Sequence, residues 1–180
     1  CGISTPVVCH LPKVEKRVRF SYPAHFNSGF MTKSKFSLTS YKDERVIDLI
    51  KATDKKILAM WAMDCAQRIL PYFEEKYPND DRPQQALRTL REWIDTGIFR
   101  MSVIRKASLD SHAAAREVGQ DNPARSAARA CGQAVATAHV KTHSLGSAIY
   151  ALQAIHRVTN SIKAVEQERA WQYRRLLKLR

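Results

Sequence analysis

The sequence has no apolar run long enough to cross a bilayer. Its longest uncharged stretch, Thr142 to His156, is 15 residues with two histidines and several hydroxyls, short of the ~20 apolar residues a spanning helix needs. The N-terminus lacks a basic region followed by an apolar core, so no secretory signal is expected there. Cysteine is scarce too: four in 180 residues, too few and too scattered for a disulfide framework. Cys65 and Cys131 fall on apolar helical stripes, where a thiol acts as a small hydrophobe; Cys1 and Cys9 lie in an irregular leader. Reduced cysteines in a cytoplasmic protein are the expectation.

Acidic residues are the other shortage, 17 against 30 lysines and arginines, for a net charge of +13. The excess is uneven. Residues 1–40 hold six basic side chains and one acidic, and residues 163–180 hold six and two. The 122 residues between them carry 18 and 14, nearly balanced. A nucleic-acid binder needs a basic stripe on the folded body with aromatics or groove-entering helices beside it, and the body shows none. Nucleic-acid binding through the basic ends is therefore only a third reading.

What is present is globular composition, 44% hydrophobic and 26% charged, in a length that buries a core without staples. Residues 1–40 are rich in Pro, Ser, Thr, Phe and Lys and show no sustained period. They read as an irregular basic extension, with Met31 as an alternative start and residues 1–30 expected to be dispensable. Residues 41–180 read as one all-α domain, an antiparallel bundle of about six to seven helices.

The first helix, Asp43 to Ala52, places Val46, Ile47 and Ile50 on one face. Thr53 or Asp54 caps the second, whose stripe is Leu58, Trp61, Ala62, Cys65, Ile69 and Phe73. Pro71 inside that run predicts a kink near Gln67 to Pro71, and Pro78 ends the element. Asp80 or Asp81, followed by Pro83, opens a third helix along Ala86, Leu87, Leu90 and Ile94, with Trp93 beside them, stopped by Gly97. Ser102 opens a fourth, through Ile104, Ala107, Ser111, Ala115 and Val118. Asn122 and Pro123 start a fifth along Ala124, Ala127, Ala128, Cys131, Val135 and Ala138. That helix either continues or breaks around Lys141 to Ser144 before Leu145 to Val158, and Asn160 or Ser161 begins the last.

His139 and His143 share one face if that fifth helix continues. A metalloprotease would need a glutamate directly after the first histidine; Val140, Lys141 and Thr142 intervene, which excludes that reaction. Candidate metal ligands are His139, His143, His112 and Asp64. The plainer reading is a hydrogen-bonded polar cluster between helices, with no metal and no cofactor. Asp64 is expected to pair with Arg68 one turn on, or else to reach His112 or His139 and set a tautomer. A nucleophilic Cys65 has no oxyanion-loop signature beside it, so catalytic residues are expected to be none. The basic C-terminus, Arg169, Arg174, Arg175, Lys178 and Arg180 around Trp171, is read as solvated charge favoured by the helix dipole.

The run LAMWAMDCAQRILPYFEEKYPNDDRP, then Trp93, SHAAAR from Ser111 to Arg116, and ATAHVKTHSLGSAIYAL resemble the putative immunity protein family of bacterial polymorphic toxin systems. Members carry a similar WAxDCA…LPxFExxxPxDxRP run followed by AxATAHVxxHxxGAxxYA. The resemblance covers roughly residues 54–157 and implies a non-catalytic protein that binds and neutralises a cognate toxin, with no membrane partner. The basicity of this chain departs from what an immunity protein masking a cationic nuclease would carry. The expected partner-binding residues are Tyr72, Glu75, Tyr77, Asp80 and Arg82, an acidic and aromatic rim held between Pro78 and Pro83, with the two tyrosines and the arginine exposed. The alternative is a helical metal- or small-ligand-binding protein using the His/Asp cluster.

Overall fold

The structure, a computed structural model, describes residues 43–120 and 122–180. The basic extension and its Met31 boundary lie outside these residues. Among them there are eight helices and no strand: α1 Glu44–Ala52, α2 Lys55–Ile69, α3 Pro71–Glu74, α4 Arg82–Thr96, α5 Met101–Glu117, α6 Pro123–Ala136, α7 His143–Thr159 and α8 Ile162–Leu179. The expected bundle is present, divided more finely than the periodicity alone suggests.

Local chemistry sets the boundaries. Asp43, Asp54, Asn122 and Ser161 each accept a hydrogen bond from a first-turn backbone N–H of α1, α2, α6 and α8 respectively, filling donors that a helix start leaves open. Gly97, at φ 71°, closes α4 in the left-handed conformation, and Asn160, at φ 48°, closes α7, both residue types that tolerate it. The expected kink at Pro71 is a division: α2 ends at Ile69, Leu70 stays helical at φ −54° and ψ −36°, and Pro71 opens α3. Lacking an N–H, Pro71 leaves the Gln67 carbonyl without its helical donor. The fourth expected helix starts one residue early, at Met101, with no side-chain cap.

The break after α6 falls earlier than the sequence suggested. The amides of Thr137, Ala138 and His139 bond back three residues, to Ala134, Val135 and Ala136, a tightening that ends the α-helix. The chain then reverses through residues 137–142 into α7. Lys141 Nζ donates to the Lys51 carbonyl at the end of α1 (2.7 Å), and Ser144 Oγ donates to the Lys141 carbonyl (2.6 Å). His139 therefore lies in a turn and His143 opens the next helix.

Helix α6 is the centre, packed against α2, α3, α4, α5 and α7. Its buried residues are alanines, Ser126, Cys131, Gly132 and Val135, small enough for neighbouring backbones to approach closely. Hydroxyls of α5 use that proximity: the half-buried Ser108 Oγ donates to the Gly132 carbonyl (2.9 Å) and the buried Ser111 Oγ to that of Ala128 (2.8 Å), while the buried Ser147 Oγ of α7 donates to the Ala62 carbonyl of α2 (2.9 Å). The pairs Ser108 with Gly132 and Ser111 with Ala128 run in opposite chain directions, so α5 and α6 are antiparallel. The stripes read from the sequence on α2, α4 and α6 are all buried.

Helix α8 corrects the reading of the C-terminus as solvated charge. The Trp61 indole, fully buried, donates to the Gln172 carbonyl (2.8 Å), Gln172 Nε2 donates to the Ala148 carbonyl (3.1 Å), and Leu176 is buried. Asp64 and Arg68 do not pair with each other. Arg68 forks onto Glu168 at 2.8 to 3.2 Å and stacks its guanidinium 3.9 Å from the centre of the Trp171 ring. Asp64 accepts from Arg175 Nε at 2.7 Å. The local i, i+4 pair loses because Glu168, whose side chain has no exposed surface, needs a cation within reach, and α8 brings Arg175 to Asp64.

Breaking the Arg68–Glu168 pair from one side leaves a buried charge unmatched, a loss of about 3–5 kcal/mol. Arg68→Met should lose that much in urea unfolding, and adding Glu168→Leu should restore most of it. A loss under about 1 kcal/mol in the single variant would show that Glu168 reaches water or another cation.

Candidate functional site

Two regions hold the residues singled out from the sequence, and they are built differently. The first is the histidine region between α5, α6 and the start of α7. The His112 imidazole lies against Gly132 of α6, where a Cβ would sit 2.7 to 3.0 Å from three of its ring atoms. His112 Nδ1 is buried with no hydrogen-bond partner. Burial, with Arg129 and Arg116 nearby, pushes this histidine down to about 4, so it is neutral at pH 7. The Gln133 side chain lies against Gly146 of α7, where a Cβ would fall 2.7 Å from its Oε1. His143 Nδ1 approaches the same oxygen at 2.7 Å, which places the hydrogen on Nδ1. Burial lowers the pKa of His143 as well.

This arrangement does not gather the four metal candidates. His139 is exposed in the turn, His143 is spent on Gln133, and Asp64 is tied to Arg175 on the α2–α8 side. Among the described residues no group of three or more His, Cys, Asp or Glu side chains is placed to hold a metal ion. Burial pushes both the Cys65 and Cys131 thiols up, which suits inert core residues. Periodicity missed the two glycine seats; their only signal was a glycine inside an otherwise alanine-rich or apolar helix.

The second region is the rim between α3 and α4. Proline-flanked turns hold it: Tyr77 N donates to the Phe73 carbonyl (2.8 Å), Asp80 N to the Tyr77 carbonyl (3.1 Å), and the Phe73 and Tyr77 rings lie 5.1 Å apart. A cleft of about 280 Å³ opens there, lined among others by Phe73, Glu74, Tyr77, Asp80, Asp81 and Gln84. A wider, shallower depression beside it is lined by Tyr77, Asp80, Arg82 and Glu117. Of the five expected residues, three line these depressions. Glu75 is exposed outside them, and Tyr72 packs half-buried against the core.

The expectation that Tyr72, Tyr77 and Arg82 stand exposed is corrected: all three are half-buried. Arg82 spans Asp80 (2.6 and 2.8 Å) and Glu117 at the end of α5 (2.5 and 2.9 Å). That bridge ties the rim to α5 instead of presenting a free cation. Its hydrogen bonds hold the Asp80 and Glu117 carboxyls below the ordinary carboxylate range. A carboxyl depressed by folding adds stability above its unfolded pKa and loses that contribution as the pH falls through the folded value. Arg82→Leu should therefore melt below the wild type at pH 7, and the gap should close as the pH drops below about 4. An equal gap at pH 3 and pH 7 would assign the loss to packing rather than charge.

Against known proteins, a family model described as "Imm-5 like putative immunity protein" matches residues 48–179. That span takes in α2 through α8, with the glycine seats, the α2–α8 ion pairs and the rim. No curated protein and no solved structure matches the chain. The chain belongs to the Imm-5 like immunity protein family.

Proposed function

We propose that this protein neutralises a cognate bacterial toxin by binding it directly and stoichiometrically, without turnover, in the cytoplasm of the cell that makes it. The observation that carries the reading is the family match across residues 48–179, since an immunity protein acts on a toxin partner. Three features are in keeping with binding rather than catalysis. Both cysteines of the helical body are buried, His112 and His143 lie against glycines or glutamine rather than in an open cleft, and the best-formed depressions are at the rim. No helix of the described residues is long and apolar enough to cross a membrane.

The docking surface in this reading is the rim of Tyr72, Glu75, Tyr77, Asp80 and Arg82. Its internal bonds change what each residue contributes. Asp80 and Arg82 hold the turn rigid, which limits the ordering cost of association. Tyr77 offers an aromatic wall to the cleft, and Glu75 offers a solvent-facing charge. A partner side chain entering the cleft meets Glu74, Asp80 and Asp81 around that wall, a setting suited to a cationic group despite the overall basicity of the chain.

The test is co-purification with the product of the neighbouring reading frame, followed by affinity measurements on variants. Tyr77→Ala with Glu75→Ala should weaken that complex by roughly 2 kcal/mol, about thirty-fold. The melting temperature should fall only modestly, because Arg82 and its partners are kept. Wild-type affinity in this variant would remove the rim as the docking surface; absence of any complex would remove the toxin-binding reading itself.

A further inference from the structure

Exposed apolar side chains are unevenly placed on this molecule. Among the described residues, nine large ones are exposed, and five fall within residues 98–109: Ile98 at 61%, Phe99, Met101, Val103 and Leu109 at 52%. Such clustering is unlike the scattered single exposures that a soluble surface tolerates. The cluster sits on a well-held corner. Gly97, left-handed at φ 71°, turns the chain out of α4, and Lys55 of α2 lies 5.7 Å from the centre of the Trp93 ring and 5.8 Å from that of Phe99. Helix α5 then runs away from this corner, and among the described helices its main packing is against α4 and α6.

Charge on the outer face of α5 has one sign left over. Met101, Arg105, Leu109 and Arg116 fall within about 80° of one another around the helix, and all four are exposed. The two acidic residues of α5 are already matched, Asp110 by Lys106 (2.6 Å) and Glu117 by Arg82. The side chains of Arg100, Arg105 and Arg116 make no hydrogen bond or salt bridge among the described residues, and of the three only Arg116 lies near an acidic group, Glu117. Glu92 and Asp95 at the end of α4 are exposed, and Lys55 of α2 adds a further cation at the corner.

We propose that the corner Ile98 to Met101 and the outer row of α5 form a second interaction surface, which takes an acidic amphipathic segment of a partner protein. Apolar side chains of that segment cover Ile98, Phe99, Met101 and Leu109, and its carboxylates meet Arg105 and Arg116. This rests on the reading that the protein works by binding a partner, but not on the rim as its docking surface. A second copy of the chain is disfavoured as the occupant, since a two-fold contact opposes this arginine-bearing surface to its own copy, which supplies no carboxylate free to meet Arg105 and Arg116. Arginine, methionine and phenylalanine are residue types enriched at protein interfaces. A nucleic acid would use the guanidiniums but leave the aliphatic side chains uncovered.

The experiment uses the full chain and a defined probe: a synthetic helix of about 20 residues with leucine on one face and glutamate on the other. Its counterpart carries lysine in place of glutamate. Arg105→Glu with Leu109→Ser alters the proposed surface, and Arg174→Glu with Lys178→Glu, exposed on α8, controls for diffuse charge; circular dichroism checks both folds. The glutamate helix should bind the wild type with a salt-dependent affinity. That affinity should fall at least about tenfold in the α5 variant and less than about twofold in the α8 variant. No binding, equal loss in both variants, or equal binding of the lysine helix overturns the proposal. So does tighter binding of a short DNA duplex that the α5 variant loses, which would make the surface a nucleic-acid one. Failure of the toxin complex leaves this result standing, so the two readings fail separately.

Discussion

The closeness of α6 to its neighbours is the constraint on which the rest of the structure depends. A helix whose buried face is alanine, serine, cysteine, glycine and one valine contributes little apolar area per residue. It compensates by letting five other helices come near. At that range, hydroxyls of α5 reach its carbonyls, and an imidazole and an amide occupy the spaces over Gly132 and Gly146. Larger side chains at those positions would push α5 and α7 outward and leave Ser108, Ser111 and Gln133 without the partners that burial demands. The rim between α3 and α4 and the α5 surface both belong to helices packed on α6, so their geometry is inherited from this central packing.

Polar side chains complete what the small residues begin. Glu168 enters the interior of the bundle only because Arg68 meets it in a forked pair and Trp171 covers the guanidinium. Asp64 has its pKa raised by burial, an effect that Arg175 opposes. These contacts add direction more than strength, since a buried ion pair is seldom more stable than a well-packed apolar one. Their effect is to fix how α8 lies on α2, with the Trp61 indole bond as a third point. The C-terminal basic residues are thereby divided between a structural set and an exposed set.

Helix existence and core membership were readable from the sequence because both rest on local periodicity and caps. The stripes of α2, α4 and α6 are buried as a 3.6-residue period requires, and Asp54, Asn122 and Gly97 mark boundaries by chemistry that acts within four residues. What could not be read depends on which helices meet. Asp64 and Arg68 form a plausible local pair in one dimension, and only the approach of α8 reassigns both. Whether the two histidines share one helix stayed open in the sequence because nothing in residues 137–142 is a strong helix breaker. The tightened turn there becomes favourable once Lys141 and Ser144 find their carbonyls. The turn between Pro78 and Pro83 lies between two helices as expected, but the exposure of Tyr72, Tyr77 and Arg82 around it was overestimated, because one partner of Arg82 lies 35 residues away in Glu117.

A bundle whose described thiols are buried, whose His112 and His143 lie against neighbouring helices and whose rim carries surface clefts suits a protein that acts by occupying another. That claim separates from an enzymatic one by stoichiometry. Titrating a fixed amount of the proposed toxin partner with this protein and following residual toxin activity measures it directly. The account predicts a linear fall that ends at one equivalent and reverses when the complex is dissociated. Complete and irreversible inactivation at a small fraction of an equivalent would contradict it and require a catalytic mechanism.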